Sequence, residues 1–196
     1  MAIRFLPQEI RDKYEIHEWK HACAVLRGDF PKEWHDIIGV LSDFKLKKSE
    51  IIAAGGGLTL ISNWFNTSFK KRRWKEKAFD TQIVVDNKPI KSPTHKVDCV
   101  KNQVALEIEW NNKDPFFDRD LNNFRLLFEL RAISVGVIIT KSDDLSDIFK
   151  GLGVWDKYGW STTWMKKLLP RIEGGGGGGC PILVFGITKA AYVEDQ

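Results

Sequence analysis

The segment Val104-Ala-Leu-Glu107-Ile-Glu109-Trp110 constrains this chain more than any other stretch. It is apolar enough to lie inside a sheet, yet it carries two acids. Residues two apart on a strand point to the same face. Glu107 and Glu109 therefore project together, and Ile108 enters the opposite layer. An unpaired buried charge is costly, so a fold that buries this segment must also provide something to meet both carboxylates. Asp98 stands nine residues before Glu107, across a turn centred near Asn102. If strands 96–100 and 104–110 pair as a hairpin, Asp98 comes beside Glu107 and three carboxylates surround one point. Their repulsion raises at least one pKa unless a cation binds. The competing reading is an edge hairpin with acids on its surface.

A hard divalent cation such as Mg²⁺, for which Mn²⁺ can substitute, prefers carboxylate oxygens and keeps several waters. One such water can attack a phosphodiester. The cluster therefore points to a metal-dependent nuclease. Asp98 and Glu107 are the expected ligands, helped by the backbone carbonyl of Ile108. Glu109 would position or deprotonate the attacking water, or share a second metal.

The rest of the chain supplies a scaffold for such a site. Apolar spacing predicts helices over 7–26, 31–42, with Trp34, Ile37, Ile38 and Leu41 on one face, and 58–73. Ser49-Glu-Ile-Ile followed by Gly55-Gly-Gly57 reads as a short element broken by a loop. Strands are expected at 81–86, 96–100, 104–110, 134–140 and 182–187, the last two almost wholly apolar as central strands are. An amphipathic helix at 118–130 makes 104–140 a strand–helix–strand crossover with neighbouring parallel strands. A short helix at 144–150, a polar loop at 158–163 and a helix at 165–171 follow. The expected whole is one α/β domain, 1–196, with a mainly helical part at 1–78 and a mixed-sheet core with its loops at 79–196.

Composition excludes some classes. The chain is 43% apolar and 29% charged, as globular proteins are. No apolar run reaches the length of a membrane helix, and the first residues lack a secretory pattern. Three widely spaced cysteines, Cys23, Cys99 and Cys180, suit free thiols in a reducing cytoplasm, with no disulfide framework and no structural zinc site. The net charge is only +4, but Lys70, Lys71, Arg72, Arg73, Lys75 and Lys77 crowd one short run. Such a run fits phosphate contact with release of counterions, or a solvated helix face.

The acid cluster resembles the active site of PD-(D/E)XK nucleases. More narrowly, the chain looks like a type II restriction endonuclease of the BglII/BstYI family. Pro31-x-x-Trp34-x-x-Ile37-Ile38, Arg73-Trp74-Lys75, Asp98 with Ala105-Leu-Glu107-Ile-Glu109-Trp110, Asn112 and Pro181-Ile-Leu-Val-Phe-Gly-Ile187 fall in that family's order. The common superfamily pattern has lysine where this chain has Glu109, so a mechanism built on lysine there is excluded. As in BamHI, the glutamate implies a base or a metal ligand.

The resemblance implies a restriction-endonuclease-like core, a mixed sheet flanked by helices. It implies a homodimer on double-stranded DNA, a palindromic target with a GATC core, and a cognate methyltransferase in a prokaryotic host. It places base reading on Asn111, Asn112 and Lys113, and on a second loop, Ser161-Thr162-Thr163. Asparagine suits adenine and lysine suits guanine in the major groove. Both stretches also suit plain turn chemistry, with Ser161 as a cap of the 165–171 helix. The dimer face is expected on the N-terminal helical half and on the 118–130 helix, through Asp118, Arg119, Asp120 and Arg125. The alternative function is a DNA-binding protein on the same scaffold, either inactive or selective for DNA structure.

Other features carry less. His17 and His21 are four apart, as on a helix, but no third metal ligand is evident. His95, three residues before Asp98, is placed either near the site or, as the favoured role, in a turn hydrogen bond. Glu50 is either an extra acid near the metal or a capping and ion-pairing group. The glycine run 174–179 lacks a P-loop ending and reads as a flexible or close-packed connection.

Overall fold

The computed structural model describes residues 2–53, 58–91 and 94–195. The loop expected at Gly55–Gly57 lies outside them. The helices run α1 Gln8–Lys13, α2 Ala22–Asp29, α3 Pro31–Asp43, α4 Lys48–Ile52, α5 Leu60–Lys71, α6 Pro115–Glu129, α7 Ser146–Gly151, α8 Trp155–Tyr158 and α9 Met165–Glu173. The strands are β1 Tyr14–Trp19, β2 Leu46–Lys47, β3 Lys75–Lys77, β4 Gln82–Val85, β5 Lys88–Lys91, β6 Val97–Lys101, β7 Val104–Ile108, β8 Val135–Lys141, β9 Ile182–Ile187 and β10 Tyr192–Val193.

Six strands form the main sheet in the order β1-β9-β8-β7-β6-β3. The centre, β7-β8-β9, is parallel, and the outer pairings are antiparallel. This is a mixed sheet flanked by helices, the restriction-endonuclease-like arrangement. β7, β8 and β9 are buried along their full length, which is why they are continuously apolar except where chemistry intervenes. On one face Leu106, Ile108, Val137, Ile139 and Phe185 meet Trp34, Ile37, Phe65 and Phe69 from α3 and α5. On the other, Ala105, Ile138 and Val184 meet Phe117, Leu121 and Phe124 of α6 and Met165 and Leu168 of α9.

The helix expected at 7–26 is two helices with a strand between them. Tyr14–Trp19 pairs antiparallel with β9 and closes that edge of the sheet. Lys20 and His21 follow at φ of 52° and 60°, which stops a continuous helix. The apolar spacing fails there too, since helical steps from Tyr14 land on His17 and Glu18. His17 thus sits on a strand and His21 in a left-handed turn, so they share no helix face. The second sheet edge, β3, also comes from within residues 1–78.

The strand expected at 81–86 is β4, and its turn at Asp86 and Asn87, both at positive φ, leads straight into a partner, β5. This hairpin stands outside the main sheet, with Ile83, Val84, Val85 and Ile90 exposed. The glycine run is close-packed: a Cβ on Gly176 would lie 2.8 Å from the carbonyl oxygen of Arg171. Among the described residues no helix is long and apolar enough to cross a membrane. Cys23, Cys99 and Cys180 are free and buried.

Candidate functional site

The turn at Asn102, at φ 50°, folds β6 back on β7 so that Cys99 pairs with Leu106 and Val100 with Ala105. That register carries Asp98 opposite Glu107. Two bonds lock the pair. The Asp98 N–H donates to Glu107 Oε2 at 3.1 Å, and the Ile108 N–H donates to Asp98 Oδ2 at 3.0 Å. Each carboxylate thus anchors the main chain beside the other and keeps one oxygen out of that exchange. Glu109 lies just past the end of β7, where its own N–H still donates to the Ile139 carbonyl of β8 at 2.8 Å.

Glu107 and Glu109 are each only 1% exposed, whereas Asp98 is half-buried. Asp98 stands on the wall of two clefts. One, of about 560 Å³, runs past Lys70, Arg73, Lys75, Trp74 and Asn66. The other, of about 350 Å³, is lined by Asn111, Asn112, Lys96, Ile108 and Arg119.

Sequence reasoning missed one member of the cluster, Asp120, and ranked the place of another, His95, second to a turn role. Asp120, expected on a dimer face, is fully buried, because α6 packs on the sheet face that carries the acids. It lies one helical turn from Phe117 and Phe124 on either side, so it belongs to the inward stripe. That spacing was the available signal. Among the described residues the His95 side chain joins the cluster and no turn: its Nε2 lies 3.1 Å from Glu107 Oε1 and 3.3 Å from Asp120 Oδ1. Arg119, 39% exposed, lies across the cluster, 2.9 Å from Asp120 Oδ1 and 3.6 Å from Glu109 Oε1. Glu50, by contrast, is half-buried beside Lys47 and Asp195. Burial raises its pKa, with Lys47 opposing the rise and Asp195 adding to it.

Burial raises the pKa of Glu107 and Glu109 well above the carboxylate range, and Asp120 adds to both. Hydrogen bonds from His95 to Glu107 and from Asn112 to Glu109 oppose the rise. Asp98 is also raised by burial, against the pull of the Ile108 N–H. Burial works against the His95 imidazolium, but Asp120 and Glu107 outweigh it and hold its pKa at about 9.

Among the described residues four carboxylates thus face two cationic side chains, His95 and Arg119, and Asp120 Oδ2 is buried with no hydrogen-bond partner. Crowded hard oxygen donors, whose burial and mutual repulsion raise their pKa values, fit a divalent cation that takes the place of the protons. Asp98, Glu107 and the Ile108 carbonyl could hold it.

The two loops expected to read bases lie side by side. Lys113 bridges to Thr162, and the Thr163 N–H donates to the Asn112 carbonyl at 2.9 Å. Lys113 and Ser161 are exposed. Thr162 and Thr163 are buried, with hydroxyls donated to the Gly159 and Glu109 carbonyls at 2.9 Å and 3.0 Å. Asn112 donates to Glu109 Oε2. Ser161 does not cap α9, whose N-cap is Trp164 with no side-chain bond.

Lys141 joins these loops from beneath, a role its sequence context did not reveal. It is fully buried, bonds the Trp110 carbonyl and Thr162 Oγ1, and its Nζ sits 5.0 Å from the centre of the Trp164 ring. Burial holds its pKa well below that of a free lysine, with Glu109 opposing.

Of the basic run, Lys70 and Arg73 line the larger cleft and Lys71 is exposed. Arg72 is turned away, pairing with Asp43 at 3.2 Å and donating to the Ser68 carbonyl.

A family model described as restriction endonuclease BglII/BglIII matches residues 14–187. The match begins on the first residue of β1 and ends on the last of β9, and so takes in the whole main sheet. No curated protein matches the chain.

Proposed function

The chain belongs to the BglII/BglIII restriction endonuclease family, and on that premise we propose that it is a Mg²⁺-dependent type II enzyme that cuts both DNA strands at a palindrome. Family membership makes it a nuclease that binds DNA. Mn²⁺ would substitute for Mg²⁺, and a GATC core is the proposed centre of the target. The observation that carries this reading is the crossed bonding of Asp98 and Glu107, which sets the buried Glu107 beside an acid that lines a basic cleft.

In this reading Asp98, Glu107 and the Ile108 carbonyl bind the cation. When bound, a divalent cation polarises the phosphoryl oxygen and acidifies a water. Glu109, held by Asn112 and raised in pKa, orients the attacking water or takes its proton. Lys70, Lys71 and Arg73 contact phosphates, with Arg72 supporting them from its ion pair. Asn111, Lys113 and Ser161 face the bases, Asn112 in the same segment steadies Glu109, and Thr162 and Thr163 hold the second loop in shape.

The whole chain acts as one endonuclease domain. A palindrome calls for a two-fold dimer with one site per strand. The proposed interface is the N-terminal helical half with the outer side of α6, around Asp118 and Arg125. A methyltransferase of the same specificity would protect the genome of the prokaryotic host, in whose cytoplasm the enzyme works.

Digestion of unmethylated phage DNA with Mg²⁺ or EDTA, followed by sequencing of the ends, tests the reading. Discrete metal-dependent fragments sharing one palindrome support it. A different palindrome removes only the GATC core. A smear, or intact DNA at enzyme excess, overturns the site-specific nuclease.

A further inference from the structure

We propose that His95, Glu107 and Asp120 form a second divalent-cation site, distinct from the Asp98 side of Glu107 and suited to a first-row transition-metal ion, for which Mn²⁺ serves as the paramagnetic probe. The inference rests on the nuclease reading in one respect: Glu107 is taken as a ligand shared between the two sites.

The geometry comes from three elements. His95 precedes β6, Glu107 lies on β7 and Asp120 projects from α6. Their ligand atoms lie within 4.8 Å of one another. Glu107 divides its oxygens between the two sides. Oε2 accepts the Asp98 N–H, while Oε1 faces His95. Asp120 is 0% exposed, its Oδ1 lies 3.3 Å from His95 Nε2, and among the described residues its Oδ2 has no hydrogen-bond partner, so a buried acceptor is left over on this side chain. A simple acidic patch would offer carboxylates alone. Here an imidazole nitrogen completes the set.

That nitrogen decides the class of ion. Mg²⁺ demands oxygen ligands and keeps its waters. Imidazole suits later first-row ions, whose affinity for mixed nitrogen and oxygen sites is higher. An ion here would also tie α6 to the β6–β7 hairpin, a staple between elements that otherwise meet through side chains. Arg119 Nη2, now 2.9 Å from Asp120 Oδ1, covers the group on its solvent side.

Mn²⁺ binding to the full-length protein without DNA tests the proposal, with free Mn²⁺ counted by electron paramagnetic resonance. Pulsed measurements on the bound fraction then detect nitrogen coupling. The wild type should bind two ions per protomer and show the nitrogen signature. His95→Gln should bind one and lose that signature, together with part of the Mn²⁺-induced rise in Tm. Asp98→Asn should bind one and keep it.

Absence of nitrogen coupling in the wild type overturns the proposal without recourse to any variant. Two ions retained by His95→Gln overturn it as well, and leave the Asp98 site standing. Loss of both ions on Asp98→Asn overturns it too, because the sites would not be separate. An Asp98→Asn variant that still binds two ions instead removes the Asp98 cation site, and with it the two-site form proposed here.

Discussion

Asn112 donates its side-chain amide to Glu109 Oε2 at 2.9 Å, so a residue of the reading segment also holds the third acid of the cluster. The two are three residues apart on the stretch that leaves β7. One of its two amide N–H groups is thereby committed to Glu109, which fixes the side chain's orientation from within the site. Asn112→Ala should therefore slow cleavage by about 10- to 100-fold, the range seen when a supporting hydrogen bond to an active-site ligand is lost. Target choice should change little. Single-turnover rates on matched and mismatched duplexes check this. A normal rate with relaxed sequence choice would instead make Asn112 a reader of bases.

Glu107→Gln should abolish cleavage while leaving duplex binding largely intact, since the acid is buried and DNA would meet the loops and the basic cleft. The amide keeps an oxygen for the Asp98 N–H, so the hairpin should hold its register. Gel shifts in Ca²⁺ alongside cleavage assays in Mg²⁺ separate the two effects. Loss of binding equal to loss of cutting would mean that Glu107 serves the DNA surface.

The metal-free protein should lose stability as pH rises. Glu107 and Glu109 have folded pKa values raised by burial and by Asp120, and His95 is raised to about 9 by Asp120 and Glu107 against the effect of burial. A raised pKa contributes stability that is fully present below the unfolded value and fades as pH climbs through the folded one. All three groups act in the same direction. Tm measured in EDTA should fall from slightly acid pH to about pH 9, and Glu107→Gln should flatten the fall. A saturating divalent cation should also flatten it, because the ion takes the place of the protons. A metal-free Tm that rises over that range would contradict these shifts.

The acid-bearing strand could be read from sequence because two carboxylates inside an apolar run demand partners that an ordinary core does not supply, and a period of two fixes their shared face. The register of β6 on β7 followed from the turn at Asn102. Asp120 escaped notice because a lone acid on an amphipathic helix is ordinarily solvated. Only the packing of α6 on the acid-bearing face puts it inside. His95 could be placed near the site from its position three residues before Asp98, but its contacts with Glu107 and Asp120 depend on tertiary placement in the same way. β1 was hidden by weak helical spacing on either side, and its pairing with β9 joins residues from opposite ends of the chain. Lys141 reads as the end of an apolar strand, and nothing local says that its amino group ends beside Trp110 and Trp164.

Lys141→Met should keep the sheet and loosen the loops. It removes a donor from the Trp110 carbonyl and from Thr162, and an unsatisfied buried acceptor costs about 1–3 kcal/mol. Hydrogen exchange should show faster loss at the Thr163 amide, which donates to Asn112, with the β8–β9 ladder unchanged. Equal loss across both would make Lys141 a general core residue.

The six-glycine run offers a test of whether close packing or slack governs that connection. Gly176 leaves no room for a Cβ, which would sit 2.8 Å from the main-chain oxygen of Arg171, an atom that cannot swing aside. Gly178 combines a φ of +56° with a Cβ position 2.6 Å from Arg125 Cγ. Alanine at either should destabilise the protein by about 1–3 kcal/mol, the range for overpacking and for alanine in a left-handed position. Gly28, near the end of α2, has nothing within 4 Å of its added Cβ. Gly28→Ala should be neutral or stabilising by up to about 1 kcal/mol, as expected for glycine replaced inside a helix. Denaturant midpoints of the three variants decide the matter. A flexible linker would leave Gly176→Ala and Gly178→Ala indistinguishable from the parent protein. The packed turn described here should lower both midpoints while Gly28→Ala holds or rises.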